Sequence, residues 1–414
     1  MKKDTKALAA LMLAVTAMLA VGCTKPDEPG NGGNGGNNGG GKTPTVTTMS
    51  VTDITTSSAK CGGVVTNEGD GGVTERGICW STSQMPTIYN GSHVRCGSGA
   101  GAFSGEMMDL LENTVYYVRA YATNSVGTSY GEEVPFRTEA IYTIEVLANP
   151  SEYGEVIGGG SYLQGDSCIV IATANDGFVF YYWSEDNEWV SSDATYTFSV
   201  DRDRSIVAHF AISSGDGHAY VDLGLPSGTL WATCNVGANT PEGYGDYFAW
   251  GETQPKTTYN WSTYRYCNGD YDYDQLTKYC NNSSYGYNGF TDNLTVLQTN
   301  DDAATANWGS GWCMPTRAQW EELYQNTSNT WTARNDVIGR LFTASNGHTL
   351  FLPAAGYRWY DELRYAGGSG YYWSSSLITD NPGFARYFYF NSGDYGMGNG
   401  YRSIGRSVRA VREN

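Results

Sequence analysis

The chain is short of charge, and of positive charge above all. Only 16% of its 414 residues are Asp, Glu, Lys or Arg, against about 25% in ordinary soluble domains. Lys and Arg number 25 and Asp and Glu 43, a formal net charge of −18. A nucleic-acid partner is therefore not expected, because duplex binding by counterion release needs a basic face. A coiled coil or helical bundle, built on Ala, Glu, Lys and Leu, is not expected either. Beyond the first two dozen residues no run approaches eighteen apolar residues, so no transmembrane helix is predicted. Histidine is scarce. His93, His209, His218 and His348 show no metal-ligand spacing, and H-E-x-x-H is absent. No two of the nine cysteines have C-x-x-C spacing, so neither a zinc ribbon nor a thioredoxin-type site is indicated.

What is abundant is glycine, 53 residues, and aromatics, 14% of the chain. That reads as a β-rich, turn-rich protein with a surface of Ser, Thr, Asn and Tyr. The length implies two or three domains.

The N-terminus sets the compartment. Lys2, Lys3 and Lys6 precede an apolar run from Leu8 to Val21, broken only by Thr16. That is a signal-peptide pattern, too short to span a bilayer as a helix. It ends in Ala20-Val21-Gly22-Cys23, which resembles the lipobox of bacterial lipoproteins, with Leu19 one place early. The resemblance implies that residues 1–22 are removed and that Cys23 carries a lipid. Asp27 and Glu28 resemble the acidic export signal of Bacteroidetes surface lipoproteins. Residues 23–42 include Gly30 to Gly41, with no apolar side chain, and read as a flexible tether. The expected location is the outer membrane, lipid-anchored, at the cell surface.

With Cys23 assigned to the lipid, eight cysteines remain for a compartment that permits disulfides. Cys267 and Cys280 are the expected bridge, closing a polar loop. Cys79, within Gly77-Ile78-Cys79-Trp80, is expected to fill core space as a thiol.

Three modules follow the tether. In residues 43–139 short apolar runs alternate with turn signals, as in a β-sandwich. Leu110, Thr114, Tyr116 and Val118 stand at the L-x-x-x-T-x-Y-x-V spacing, and the segment resembles fibronectin type III domains. There a Leu starts a corner and the Tyr hydroxyl ties it to the backbone. Residues 140–213 form a small β module. Gly177, Phe178, Phe180, Trp183, Ala208 and Phe210 hold the places of the bacterial repeat related to internalin B repeats, which implies a stalk element with those aromatics in its core.

Residues 217–414 read as a compact α+β unit. Thr316 and Gln319 form a capping box, and Trp320, Leu323 and Tyr324 fall on one helix face. Asp301-Asp302 starts a shorter helix, with Trp312 and Met314 as anchors. Six stretches in order, from Tyr220–Gly237 through Leu352-Pro353-Ala354-Ala355-Gly356-Tyr357-Arg358 to Ser407–Val411, resemble the fibrobacter major paralogous domain. That family implies a C-type-lectin-like fold with a distant link to formylglycine-generating enzymes. Cys313 departs from it, standing where the family has Arg. The fold class is thus multi-domain: two all-β modules, an immunoglobulin- or fibronectin-like sandwich and a small β repeat, then an α+β C-type-lectin-like domain.

Catalysis finds little support. Gly127-Thr128-Ser129-Tyr130-Gly131 satisfies G-x-S-x-G but leads into a strand, not a helix. No cysteine follows Cys313, which removes the reactive pair of the formylglycine-generating enzymes and leaves that activity a remote alternative. No cofactor is indicated. A loop calcium at Asp270, Asp272 and Asp274 has the right residue type, but Gln275 and Asn281 break the EF-hand pattern, and the sugar-lectin motifs EPN, QPD and WND are missing. The aromatics are the better lead. Trp359, Tyr360, Tyr365 and Tyr371 surround Arg364 and the Gly367–Gly370 loop, and amphipathic aromatics on loops bind glycans and proteins at low entropic cost. The expected function is non-enzymatic binding or adhesion to a glycan or a surface or matrix protein. The alternative is a structural part of a surface assembly.

Overall fold

The computed structural model describes residues 41–269 and 273–413. Cys23, Asp270 and Asp272 lie outside the described residues.

Alternation builds the first module. Its strands fall into two sheets. One runs Thr45–Thr48, Ala59–Asn67, Gly101–Met107. The other joins Ser92–Arg95, Glu75–Ser81, Val115–Thr123 and Thr128–Tyr130, with Val134–Arg137 also paired to Val115–Thr123. Val46, Cys61, Ile78, Phe103, Met107, Leu110, Tyr116 and Val118 fill the space between. The Tyr116 hydroxyl accepts a hydrogen bond from the Leu111 backbone at 3.0 Å, so the Tyr corner forms as its spacing predicts. Cys79 is buried, and burial pushes its thiol up to about 11. Ser129 sits mid-strand opposite Ala122.

The second module packs two sheets over Ile144, Cys168, Val170, Trp183, Ile206, Ala208 and Phe210. Its first strand, Ile141–Asn149, pairs in parallel with its last, Arg204–Ser213. Strand Phe178–Glu185 carries a bulge: Phe180 faces Phe210 and Tyr182 faces His209, leaving Tyr181 as the extra residue. A bulge re-aims side chains. Here Phe180 and Trp183 pack on the module's own core, while Tyr181 and Tyr182 belong to the core of the next domain.

That division makes the two segments one body. Strand Arg204–Ser213 hairpins into Ala219–Asp222, with Ile212 opposite Tyr220, and the same sheet continues through Leu230–Asn235 to Arg409–Arg412. The intervening turn is held too, because Trp312 donates its indole N–H to Asp216 at 3.0 Å. The buried Arg334 guanidinium lies 4.2 Å over the Tyr182 ring. The two segments therefore join through a hairpin whose last pair is Ser213 opposite Ala219.

Among the described residues of the C-terminal part, strands and long loops dominate, with two short α-helices and three single 3-10 turns. Arg317–Asn326 starts on Thr316, whose side chain forms the capping box with Gln319, and buries Trp320 and Leu323. Ala303–Trp308 starts on Asp302. A second sheet joins Glu362–Arg364, Tyr357–Trp359, Gly405–Ser407, Gly370–Leu377, Phe384–Phe390 and Tyr395–Tyr401. The expected Cys267–Cys280 bridge is not formed. Cys280 is buried, and its thiol donates to the Asn282 carbonyl at 3.1 Å.

Candidate functional site

The aromatic cluster is organised by one hairpin. Gly356 enters it with a φ of +66°, and a Cβ there would lie 2.1 Å from the Arg364 carbonyl, so only glycine admits this approach. Strands Tyr357–Trp359 and Glu362–Arg364 then pair, Trp359 opposite Glu362, around Tyr360-Asp361. Tyr360 has a φ of +54°, a left-handed conformation that a tyrosine adopts at a cost. Two 2.9 Å backbone hydrogen bonds to Tyr259, one in each direction, hold it there. Within the cluster Tyr365, at +58°, is the second such aromatic.

Trp359 is 40% exposed, Tyr360 48% and Tyr365 63%. The Arg364 guanidinium lies 4.3 Å over the Trp359 ring and grips Glu362 at 2.7 and 3.0 Å. Tyr371 is half-buried. It stands edge-on to Tyr357 at 5.1 Å, and Tyr357 in turn meets Tyr365 at 5.7 Å. The structure thus gathers all five expected residues, with Tyr371 as support more than as exposed surface. Burial raises the Tyr371 hydroxyl above its ordinary pKa.

Several partners are not visible in local sequence. Arg406 is buried beneath the row, 3.6 Å from the Tyr387 ring, 4.6 Å from Trp373, 5.5 Å from Tyr371 and 5.7 Å from Tyr357. Its Nε and Nη1 have no hydrogen-bond partner among the described residues, and burial pulls its pKa down to about 10. Four aromatic faces are its counter-charge. Beside the hairpin opens a cleft of about 450 Å³, lined by Asp246, Tyr247, Lys256, Tyr259, Arg358 and Asp361. Its lysine is already engaged, donating to Glu252 at 2.8 Å and to the Thr263 carbonyl at 2.9 Å. The local signal was the Tyr357-Arg358 pair; Tyr387 and Arg406 lie too far along the chain to be read with it.

Asp274 is exposed, and its carboxylate accepts from Gln275 at 3.4 Å. Among the described residues no three His, Cys, Asp or Glu side chains gather as a metal site, and no helix is long and apolar enough to cross a membrane.

The second module's two-layer core, with Trp183, Ala208 and Phe210 buried at its centre, sets the comparison. Residues 142–214 match the Divergent InlB B-repeat domain. Phe178 of this matched segment, expected in the core, is only half-buried and instead stacks on Tyr153 at 4.0 Å at the edge of the core. No curated protein matches the chain. Among solved structures, the sensor domain of the anti-sigma factor RsgI4 of Pseudobacteroides cellulosolvens is 17% identical, covering 23% of this chain and 95% of that one, with a TM-score of 0.19. The third fibronectin III domain of human KIAA0343 protein is 18% identical, covering 26% and 93%, with a TM-score of 0.21.

Proposed function

We propose that the protein is a lipid-anchored surface protein that binds a glycan or a surface or matrix protein without catalysis. Its C-terminal domain, read as lectin-like, carries the ligand at the Trp359–Tyr360 hairpin. Cys23 supplies the membrane anchor, and the β modules hold the domain away from the outer membrane. One observation carries this reading: two exposed aromatic side chains ride on a turn whose backbone is pinned to Tyr259 from both sides. A surface that pays its ordering cost before binding keeps more of the contact energy.

The test is an array of glycans and matrix proteins probed with the full chain, with and without calcium. Saturable binding that falls at least about tenfold, or about 1.4 kcal/mol, in Trp359→Ala and Tyr360→Ala supports the site. Binding unchanged by both substitutions moves the site elsewhere. No binding to any class overturns the reading.

A second reading, a structural part of a surface assembly, draws on the exposed aliphatic side chains of the B-repeat: Ile141, Leu147, Ile157, Leu163 and Ile169. Exposed apolar surface of that kind marks contacts with other proteins. Stoichiometric recovery in a surface complex, with no soluble ligand, would favour it.

A further inference from the structure

A second cleft, of about 500 Å³, opens where the B-repeat meets the C-terminal domain. The repeat contributes Phe180, Tyr181 and Asp193; the domain contributes His218, Asn239, Thr240 and Trp308. Neither part makes it alone. The volume falls within the range of about 300–1,000 Å³ typical of small-molecule sites, which favour such junctions.

We infer that this junction cleft binds a neutral, ring-shaped polyhydroxy compound, a single sugar unit. The lining decides the class. It holds no Lys or Arg, so a phosphate or carboxylate ligand would find no cation, and the chain's charge of −18 repels anions further. The side chains of Asp193, Asn239 and Thr240 and the His218 ring make no hydrogen bond among the described residues. Asn239 can both donate and accept, Asp193 accepts, and the Thr240 hydroxyl does either. That supply suits a ligand with several hydroxyls and would be wasted on a hydrocarbon.

The apolar part of the cleft is equally placed. His218 lies flat on Trp308, with ring centres 4.0 Å apart and planes 17° from parallel. Trp308 is edge-on to the buried Trp312 at 5.2 Å, which fixes the pair. A fixed aromatic pair beside polar groups suits a sugar's apolar face and polar rim. The base is rigid as well, since Asp216 accepts from both the His218 backbone and the Trp312 indole. This site is separate from the hairpin and stands or falls without it.

The experiment is saturation-transfer NMR on the full chain with the methyl glycosides of glucose, galactose, mannose and N-acetylglucosamine. At least one should give weak, saturable binding. Trp308→Ala should reduce its affinity about tenfold or more, and by the same factor when introduced into the Trp359→Ala protein. Should Trp308→Ala melt early, the exposed pair Asn239→Ala and Thr240→Ala serves in its place, with the same loss expected. Binding lost in Trp359→Ala but kept in the cleft variants would assign the sugar to the hairpin and overturn the junction site alone. Silence from all four glycosides would overturn it too, whatever the array shows for the hairpin.

Discussion

The Tyr182 hydroxyl of the B-repeat and the Thr349 hydroxyl of the C-terminal domain share a buried hydrogen bond of 2.7 Å. It lies inside a joint core that Tyr181 and Tyr182 share with Val221, Trp231, Trp320 and Leu350. Residues 140–413 should therefore unfold in one transition. Tyr182→Phe should keep that single transition and lower stability by about 1 kcal/mol, whereas Tyr182→Ala, which also empties core volume, should cost about 3–5 kcal/mol. Urea unfolding followed by tryptophan fluorescence checks both. Two resolved transitions in the parent chain, one of them belonging to the repeat, would contradict the shared core.

On the proposed reading, substitution of Tyr360 should separate binding from folding. Its backbone is left-handed at +54°, and glycine takes that conformation without penalty. Tyr360→Gly should leave stability unchanged or raise it by up to about 1 kcal/mol, while weakening ligand binding as strongly as Tyr360→Ala. Parallel melts and binding curves test this. A large loss of stability would mean that the ring, not the backbone, holds the hairpin.

Arg402 is buried in the C-terminal core. It donates to the Tyr264 hydroxyl and to the carbonyls of Tyr279, Pro382 and Lys278 at 2.9–3.1 Å. Arg402→Met fills similar space but strands those acceptors, at an expected cost of about 3 kcal/mol. Arg364→Met, on the exposed hairpin, should cost well under 1 kcal/mol. Equal losses from the two substitutions would refute this division.

His209 gives the fold an acid sensitivity. Its ring stacks on Tyr182 with centres 4.2 Å apart and bonds to Ser184 at 2.8 Å, and burial pushes its pKa down to about 3 from the ordinary 6.5. Between those values the unfolded chain holds a proton that the folded chain refuses. Stability therefore falls as pH drops below about 6.5, by up to about 1.4 kcal/mol per unit. His209→Phe keeps the stacking and removes this part of the slope. Denaturation series between pH 7 and 5 measure it; identical slopes in the two proteins would reject the assignment.

The features legible in the sequence were those made by neighbours. Tyr116 and its corner, Thr316 with Gln319, and the alternation that buries Trp183 and Phe210 each depend on a few residues of local chain. What escaped was made by distance. Ser214-Gly215-Asp216-Gly217 has the composition of a turn, and only the fold shows it as the tip of a hairpin that carries one sheet from the repeat into the next domain. Nothing local distinguishes Tyr181 and Tyr182 from the repeat's own core aromatics until the bulge divides them. Arg406 is surrounded by Tyr357, Tyr371 and Tyr387, three segments that meet only in the folded chain. The hairpin cluster is legible because its five residues lie within 359–371; the junction cleft is not, because its walls come from separate stretches of residues 179–241 and from Trp308.

The parallel pairing of Ile141–Asn149 with Arg204–Ser213 has a mechanical side. The chain enters the repeat at the first end of one strand and leaves from the last end of its neighbour. Tension applied between residue 41 and the hairpin would pull these strands past each other along their length, loading their hydrogen bonds together instead of peeling them one at a time. Force carried through the chain would thus load a shear joint, with the neighbouring domain bonded to the same strand.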